Sequence, residues 1–278
     1  MSHKSIQVNL SKRGMHYMTS KYIQFFILGI GFLLITSKAA LSEEKLPTCL
    51  HLPENSGVVK NITKQNSIML HDGKELVLAN VYVKRKESHL FIKEAILNKK
   101  VFFYSSGRLK DRYNRLIVQI FINETGKRTW LQETLIQKGY AVAMALPTNW
   151  LCATELLSRE KKFRERDEIR KTIEFSFPII RVENTKMLNQ KQQGSFQIVK
   201  GRVFSISRTT QNTYINFSKN WRKDFTAVVS NHLLKRKKGR WPKLKLLKGK
   251  TIILRGWLDH YNGPLIRLET PEMIEIIN

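Results

Sequence analysis

Between Gly107 and Ile122 the chain reads Gly-Arg-Leu-Lys-Asp-Arg-Tyr-Asn-Arg-Leu-Ile-Val-Gln-Ile-Phe-Ile, a turn feeding a strand around which the rest of the chain is organised. Its second half, Leu116 to Ile122, is nearly all apolar or β-branched, the composition of a core strand. Its first half, Gly107 to Asn114, is a basic and polar turn. Lys110, Arg112, Tyr113 and Arg115 therefore sit where a turn enters the core, on a rigid edge. Cationic and aromatic groups held this way suit phosphate and base contacts. An ordinary hairpin with a solvated basic turn fits the stretch equally well by itself.

The flanking segments supply partners for that strand. Val58-Val59 and Ser67 to Leu70 start two short runs, His71-Asp-Gly-Lys74 is a hairpin turn, and Glu75 to Val83 reads as a third strand. Ser88 is placed to cap a helix reaching about Asn98, and Lys100 to Tyr104 reads as a fourth strand. Thr129 is placed to cap a second helix, Trp130 to Lys138, which Gly139 ends. A charged third helix runs from about Ala153 to Thr172, with Leu156, Leu157, Phe163 and Ile169 as its apolar contacts; its many charges read as a solvated face. The expected fold class is mainly β with α: a five-stranded OB-fold barrel capped by three helices. Residues 184–194 are polar and Gln-rich, a linker. From 195 to 278, short strand runs at regular spacing and the Asn262-Gly263 turn predict a second small β-barrel, OB-like. The expected organisation is a leader over 1–40, an extension over 41–56, a first domain over 57–183, the linker, and a basic second domain.

The net charge of +27, from 49 Lys and Arg against 22 Asp and Glu, narrows the partners. Such an excess costs self-repulsion and favours a polyanion: nucleic acid, an anionic membrane surface or an acidic polysaccharide. The apolar run Ile23 to Ile35 follows Lys12, Arg13 and Lys21 and precedes the small residues Ser37, Ala39 and Ala40. This is a secretory pattern, implying an exported, periplasmic or secreted protein, with a retained membrane anchor over 23–35 as the alternative. Cys49 and Cys152 are the two cysteines. In an oxidising compartment they pair or remain free thiols, and sequence does not bring them together.

The order of elements and the motif Asp111-Arg-Tyr-Asn-Arg-Leu-Ile-Val resemble the staphylococcal nuclease (thermonuclease-like) family, with its Asp-x-Tyr-Gly-Arg-x-Leu-Ala. Leu131-x-x-x-Leu-Ile-x-x-Gly-Tyr-Ala141 follows at the family's spacing. The resemblance covers about residues 57–175. It implies that Arg115 is the catalytic arginine on the scissile phosphate, that Arg112 and Tyr113 touch a nucleotide phosphate, and that Asp111 is structural. Asn114 stands for the family's glycine and tolerates the same left-handed backbone. The upstream signatures depart further. Lys64-Gln-Asn-Ser67 lies where Asp-Gly-Asp-Thr is expected, so Asn66 takes a calcium carboxylate's place. Val77 takes the place of a second catalytic arginine, Tyr82 of the other calcium carboxylate, and Lys84 with its neighbours of the proline and general-base glutamate. Between Gly57 and Glu87 the acids are Asp72, Glu75 and Glu87. Glu87 serves as a base only if its loop reshapes. Calcium needs several hard oxygen ligands, and hydrolysis needs charge neutralisation and a positioned base. The family's calcium is expected only if the protein is active; otherwise no cofactor is expected. The seven histidines are scattered, so no metal site is expected.

Gly201-Arg-Val, Tyr214-Ile-Asn-Phe217, Ile253-Leu-Arg-Gly-Trp257, Tyr261-Asn-Gly-Pro264 and the ending Pro271-Glu-Met-Ile-Glu275 resemble, more weakly and over about residues 194–278, the OB-like C-terminal domain of some bacterial thermonuclease-like proteins. Within this span, Leu234 to Lys250 holds nine basic residues and no acid. Lys235, Arg236, Lys237, Lys238 and Arg240 suit phosphates, with Trp241 as a stacking face. The expected function is a catalytically degenerate, exported nucleic-acid or polyanion binder. A phosphodiesterase with a rearranged acid or metal site is one alternative, and an envelope module on anionic lipid is another.

Overall fold

The computed structural model describes residues 46–50, 54–124, 126–147, 151–165, 177–184, 186–220, 223–236 and 239–277. The leader with its apolar run, the end of the third helix with Ile169, and Lys237 and Lys238 lie outside the described residues, as does the side chain of Glu87. No helix among the described residues is long and apolar enough to cross a membrane.

The first half runs β1 (Asn55–Ile62), β2 (Ile68–Leu70), β3 (Glu75–Leu78), β4 (Val81–Val83), α1 (Arg85–Ile96), β5 (Lys100–Lys110), β6 (Leu116–Glu124), β7 (Lys127–Trp130), α2 (Leu131–Gln137), β8 (Ala141–Ala143) and α3 (Leu151–Glu165). The sheet order β3-β2-β1-β5-β6-β7 closes on itself because β3 also pairs with β6 in parallel, Leu76 to Leu78 against Leu116 to Val118. The result is a closed five-stranded barrel with β7 as an added strand. Strand β6 is buried from Ile117 to Ile122, which explains its continuous apolar run. Its one polar core residue, Gln119, donates to Asn80 Oδ1 at 2.8 Å and accepts from the Trp130 indole at 3.1 Å, so both halves of its amide are satisfied.

Asn80 also splits the expected strand Glu75–Val83 in two. Its φ of 60° is left-handed, and after this break Val81–Val83 pairs with β8 instead. Neither expected helix cap is used. Helix α1 starts at Arg85, and Ser88 lies within it, its hydroxyl donating back to the Lys84 carbonyl at 2.6 Å. Thr129 belongs to β7, and α2 starts after Trp130 without a side-chain cap. Gly139 ends α2 with a φ of 73°. Cys49 and Cys152 form a disulfide across 103 residues, tying the N-terminal extension to α3.

The second half contains β9 (Ile179–Arg181), β10 (Phe196–Arg202), β11 (Ser205–Arg208), β12 (Asn212–Asn216), β13 (Thr226–Ser230), α4 (Asn231–Arg236), β14 (Thr251–Tyr261), β15 (Gly263–Arg267) and β16 (Ile274–Ile277). Its sheet runs β11-β12-β13-β15-β14-β10-β9. Strands β10 and β11 are two halves of one bent path: Val203 N donates to Lys250 on the β14 side, and Phe204 N to Asn216 on the β12 side. The sheet thereby rolls up, with β13 against β15 in parallel as β3 is against β6. Ile179–Arg181, read from the sequence as the end of the first domain, adds instead to the second sheet beside β10, and the first barrel begins at Asn55 rather than Gly57.

The charges of α3 are not all solvated. Glu160 and Arg255 are each 2% exposed at the side chain and form a bidentate pair at 3.0 Å. Glu160 also accepts from Ala143 N, and Arg255 donates to the Ala143 carbonyl. Arg164 adds a pair to Glu275 at 2.6 Å. Val142, Phe196, Ile198 and Ile253 form a buried cluster beside this network, with Tyr82 and Phe177 packed against it. Glu160 and Arg164 thus pair with the second barrel, while Arg159 pairs with Glu133 of α2 and Lys161 with Glu165 on the exposed face.

Candidate nucleic-acid interface

The turn between β5 and β6 is built by Asp111. Its Oδ1 accepts from the backbone N–H of Tyr113 at 2.9 Å and of Arg115 at 3.0 Å. Asn114 adopts a φ of 65°, the conformation its position requires, and its Oδ1 receives the Lys110 ammonium at 2.8 Å. The second carboxylate oxygen of Asp111 takes Arg115 Nε at 2.9 Å and a terminal nitrogen at 2.7 Å, a fork-to-carboxylate arrangement. Burial works to raise the Asp111 pKa, but the Arg115 guanidinium and the two backbone N–H groups outweigh it and hold the carboxyl below its ordinary value.

Arg115 reaches across the barrel with its other terminal nitrogen, donating to Ser67 Oγ at 2.9 Å. Three of its five N–H donors are thus engaged, which fixes the guanidinium plane, and among the described residues the other two are left for an incoming anion. Tyr113 is 61% exposed. Arg112 and Arg115 both lie over its ring, at 4.7 and 5.1 Å from the centroid. Lys110, Arg112, Tyr113 and Arg115 are therefore one cluster, with Asp111 and Ser67 as its supports.

The neighbouring donor set does not suit calcium. Asn66 is 6% exposed with a φ of 62°. Its amide nitrogen donates to Ser88 Oγ at 3.0 Å, and its oxygen faces His89 Nδ1 at 3.0 Å. The Ser88 proton goes to Lys84, so Asn66 Oδ1 is an acceptor and His89 Nδ1 must donate. That amide oxygen is already engaged. Tyr82 stacks on Phe196 at 4.9 Å and meets Phe177 and Trp257 edge-on, holding the two barrels together. Val77 pairs with Ile117 in the barrel wall. The carboxylate at the turn, Asp111, is committed to Arg115. Among the described residues no group of three His, Cys, Asp or Glu side chains is placed to hold a metal.

The basic segment of the second barrel is more firmly folded than its composition suggests. Lys235 and Arg236 are exposed at the end of α4. Leu244 and Leu247 are buried in the core. Trp241, expected as a stacking face, is half-buried and packs against that core. Arg240, expected to meet phosphate, forms an ion pair with Glu272. Among the described residues of the segment, the exposed cations are Lys235, Arg236, Lys243, Lys245, Lys248 and Lys250.

Sequence reading missed Ser67 as a partner of Arg115 and the Asn66–Ser88–His89 chain. No local signal announces bonds across 48 and 22 residues. No curated protein matches the chain. The family model described as staphylococcal nuclease homologue matches residues 79–168, a span that starts beyond Asn66 and Val77 and includes Arg115. With the closed barrel that this span helps to build, residues 79–168 are identified as a staphylococcal nuclease homologue domain.

Proposed function

We propose that the protein binds nucleic acid through the Arg115 cluster without calcium-dependent hydrolysis, and that the charge of both barrels strengthens this binding. The observation that carries the reading is the guanidinium of Arg115, held by Asp111 and Ser67 beside an amide rather than a carboxylate. A phosphate meets two free N–H donors there, with Arg112 and Lys110 nearby. The second requirement, a metal-held water and a carboxylate base, meets Asn66, Tyr82 and Lys84 at the family's positions. Phosphate clamping needs only the first of these conditions; hydrolysis needs both. The exposed lysines of 235–250 add a sequence-blind electrostatic contribution. The Cys49–Cys152 disulfide supports export to an oxidising compartment.

Fluorescence anisotropy with a labelled single-stranded DNA, across a salt series, tests the reading. Arg115→Ala is expected to weaken binding about tenfold or more, the loss of a charge-assisted hydrogen bond. Equal affinity of Arg115→Ala and wild type at every salt concentration contradicts it.

A further inference from the structure

The second barrel has a groove of about 660 Å³ on the face made by β11, β12, β13 and β15, well away in sequence from the Arg115 cluster. Its lining differs from the rest of this basic chain. Asn212, Tyr214, Asn216, Thr226 and Tyr261 supply amides, hydroxyls and two aromatic faces, Arg267 supplies a cation, and no carboxylate among the described residues lines it. Tyr261 is 71% exposed at the tip of the β14–β15 hairpin, where a folded protein gains nothing by leaving a large ring in water. Thr226 is 8% exposed, and its hydroxyl oxygen is buried with no hydrogen-bond partner among the described residues. A buried polar atom without a partner costs stability, and a ligand in the groove would give this one a partner.

We infer that this groove binds the unpaired bases of a single-stranded nucleic acid. This rests on the polyanion reading above but names a second site. Tyr214 and Tyr261 offer stacking faces, which every base can use and which a duplex keeps occupied by its own stacking. Thr226, Asn212 and Asn262 offer base edges uncharged donors and acceptors, while the buried Asn216 amide nitrogen is held by Ser205 and Ser207. Arg267 is 61% exposed and only partly engaged by Asp259 at 3.2 Å. The loop carrying exposed Lys219 and Lys223 packs its backbone against the hairpin tip: a Cβ at Gly263 would lie 2.8 Å from the Asp224 carbonyl oxygen. Cations thus stand at the rim for phosphates, and the floor stays uncharged for bases.

Anisotropy on the full chain with a labelled oligo-dT 15-mer and an abasic deoxyribose-phosphate 15-mer tests this. Wild type is expected to prefer oligo-dT by about tenfold, and Tyr261→Ala to bring that ratio near one while abasic affinity holds. Thr226→Val, which keeps the shape and removes the hydroxyl, is expected to lower the ratio by a smaller factor. Equal wild-type affinity for both oligomers, or a ratio that Tyr261→Ala leaves unchanged, overturns the inference and leaves the Arg115 reading standing. Binding of neither oligomer overturns both. Cellohexaose that displaces oligo-dT from wild type but does not bind Tyr261→Ala reassigns the groove to a neutral glycan and overturns the base-binding role.

Discussion

The first barrel closes by pairing β3 with β6 in parallel, and in the second the parallel pair β13–β15 joins the β11-β12-β13 part of the sheet to β14 and β10. The functional groups are arranged in opposite ways. In the first, a single turn gathers Lys110, Arg112, Tyr113 and Arg115, and Asn66, Ser67 and Ser88 beside it are hydrogen-bonded. In the second, exposed cations are spread along α4 and the segment after it, while the groove over β11, β12, β13 and β15 has an uncharged floor and keeps an unpartnered hydroxyl at Thr226 among the described residues. One architecture thus supports a focused guanidinium site and a stacking groove, because strand order fixes the scaffold and leaves the turns and outer faces free.

The contrast can be broken first through stability. Removing the Cys49–Cys152 crosslink, which closes 103 residues, is expected to cost the first barrel roughly 4–5 kcal/mol in the chain-entropy model. Denaturant unfolding of the Cys49→Ser, Cys152→Ser double variant measures it, and hydrogen exchange locates the loss in β1, β5 and α3 rather than in β10 to β15. Arg255→Ala addresses the joint between the barrels. It strands Glu160 as a buried charge and is expected to cost about 3–5 kcal/mol, separating a single unfolding transition into two.

The joint also marks the limit of what sequence reveals. The Asp111–Arg115 turn is legible because Asp at its start, Asn at the left-handed position and an apolar strand after it act within a few residues. The five-stranded order of the first barrel follows from the same local signals. The Glu160–Arg255 pair spans 95 residues, and nothing near Glu160 distinguishes it from its solvated neighbours on α3. Ser88 and Thr129 carry the side chains of helix caps, but the chain enters α1 and α2 directly from strands and uses them elsewhere. Trp241 lies in a run of lysines, yet Leu244 and Leu247 pull that run onto the core. Tyr82 occupies an expected carboxylate position and instead joins an aromatic cluster contributed by both halves of the chain.

Smaller effects sharpen the comparison. The Asp111 carboxyl titrates below its ordinary value in the folded protein, so the stability it contributes is complete above about pH 4 and falls away as pH drops through the depressed folded value. The stability difference between wild type and Asp111→Asn is therefore expected to be constant from neutral pH to about pH 5 and to close in stronger acid. A difference that instead closes on raising the pH contradicts the ion pair. Charge reversal of Lys235, Arg236, Lys237 and Lys238 is expected to flatten the salt dependence of single-stranded DNA binding by roughly 0.7 in slope for each phosphate no longer neutralised. An unchanged slope removes that segment from the interface.

The most direct measurement is cleavage of labelled single-stranded DNA and RNA by purified residues 41–278, with calcium, with chelator, and with Arg115→Ala. The account predicts no cleavage above the Arg115→Ala control under any condition, alongside DNA binding that this substitution weakens. Calcium-dependent cleavage that Arg115→Ala abolishes would contradict it, since the metal and base would then come from groups other than Asn66, Tyr82 and Lys84.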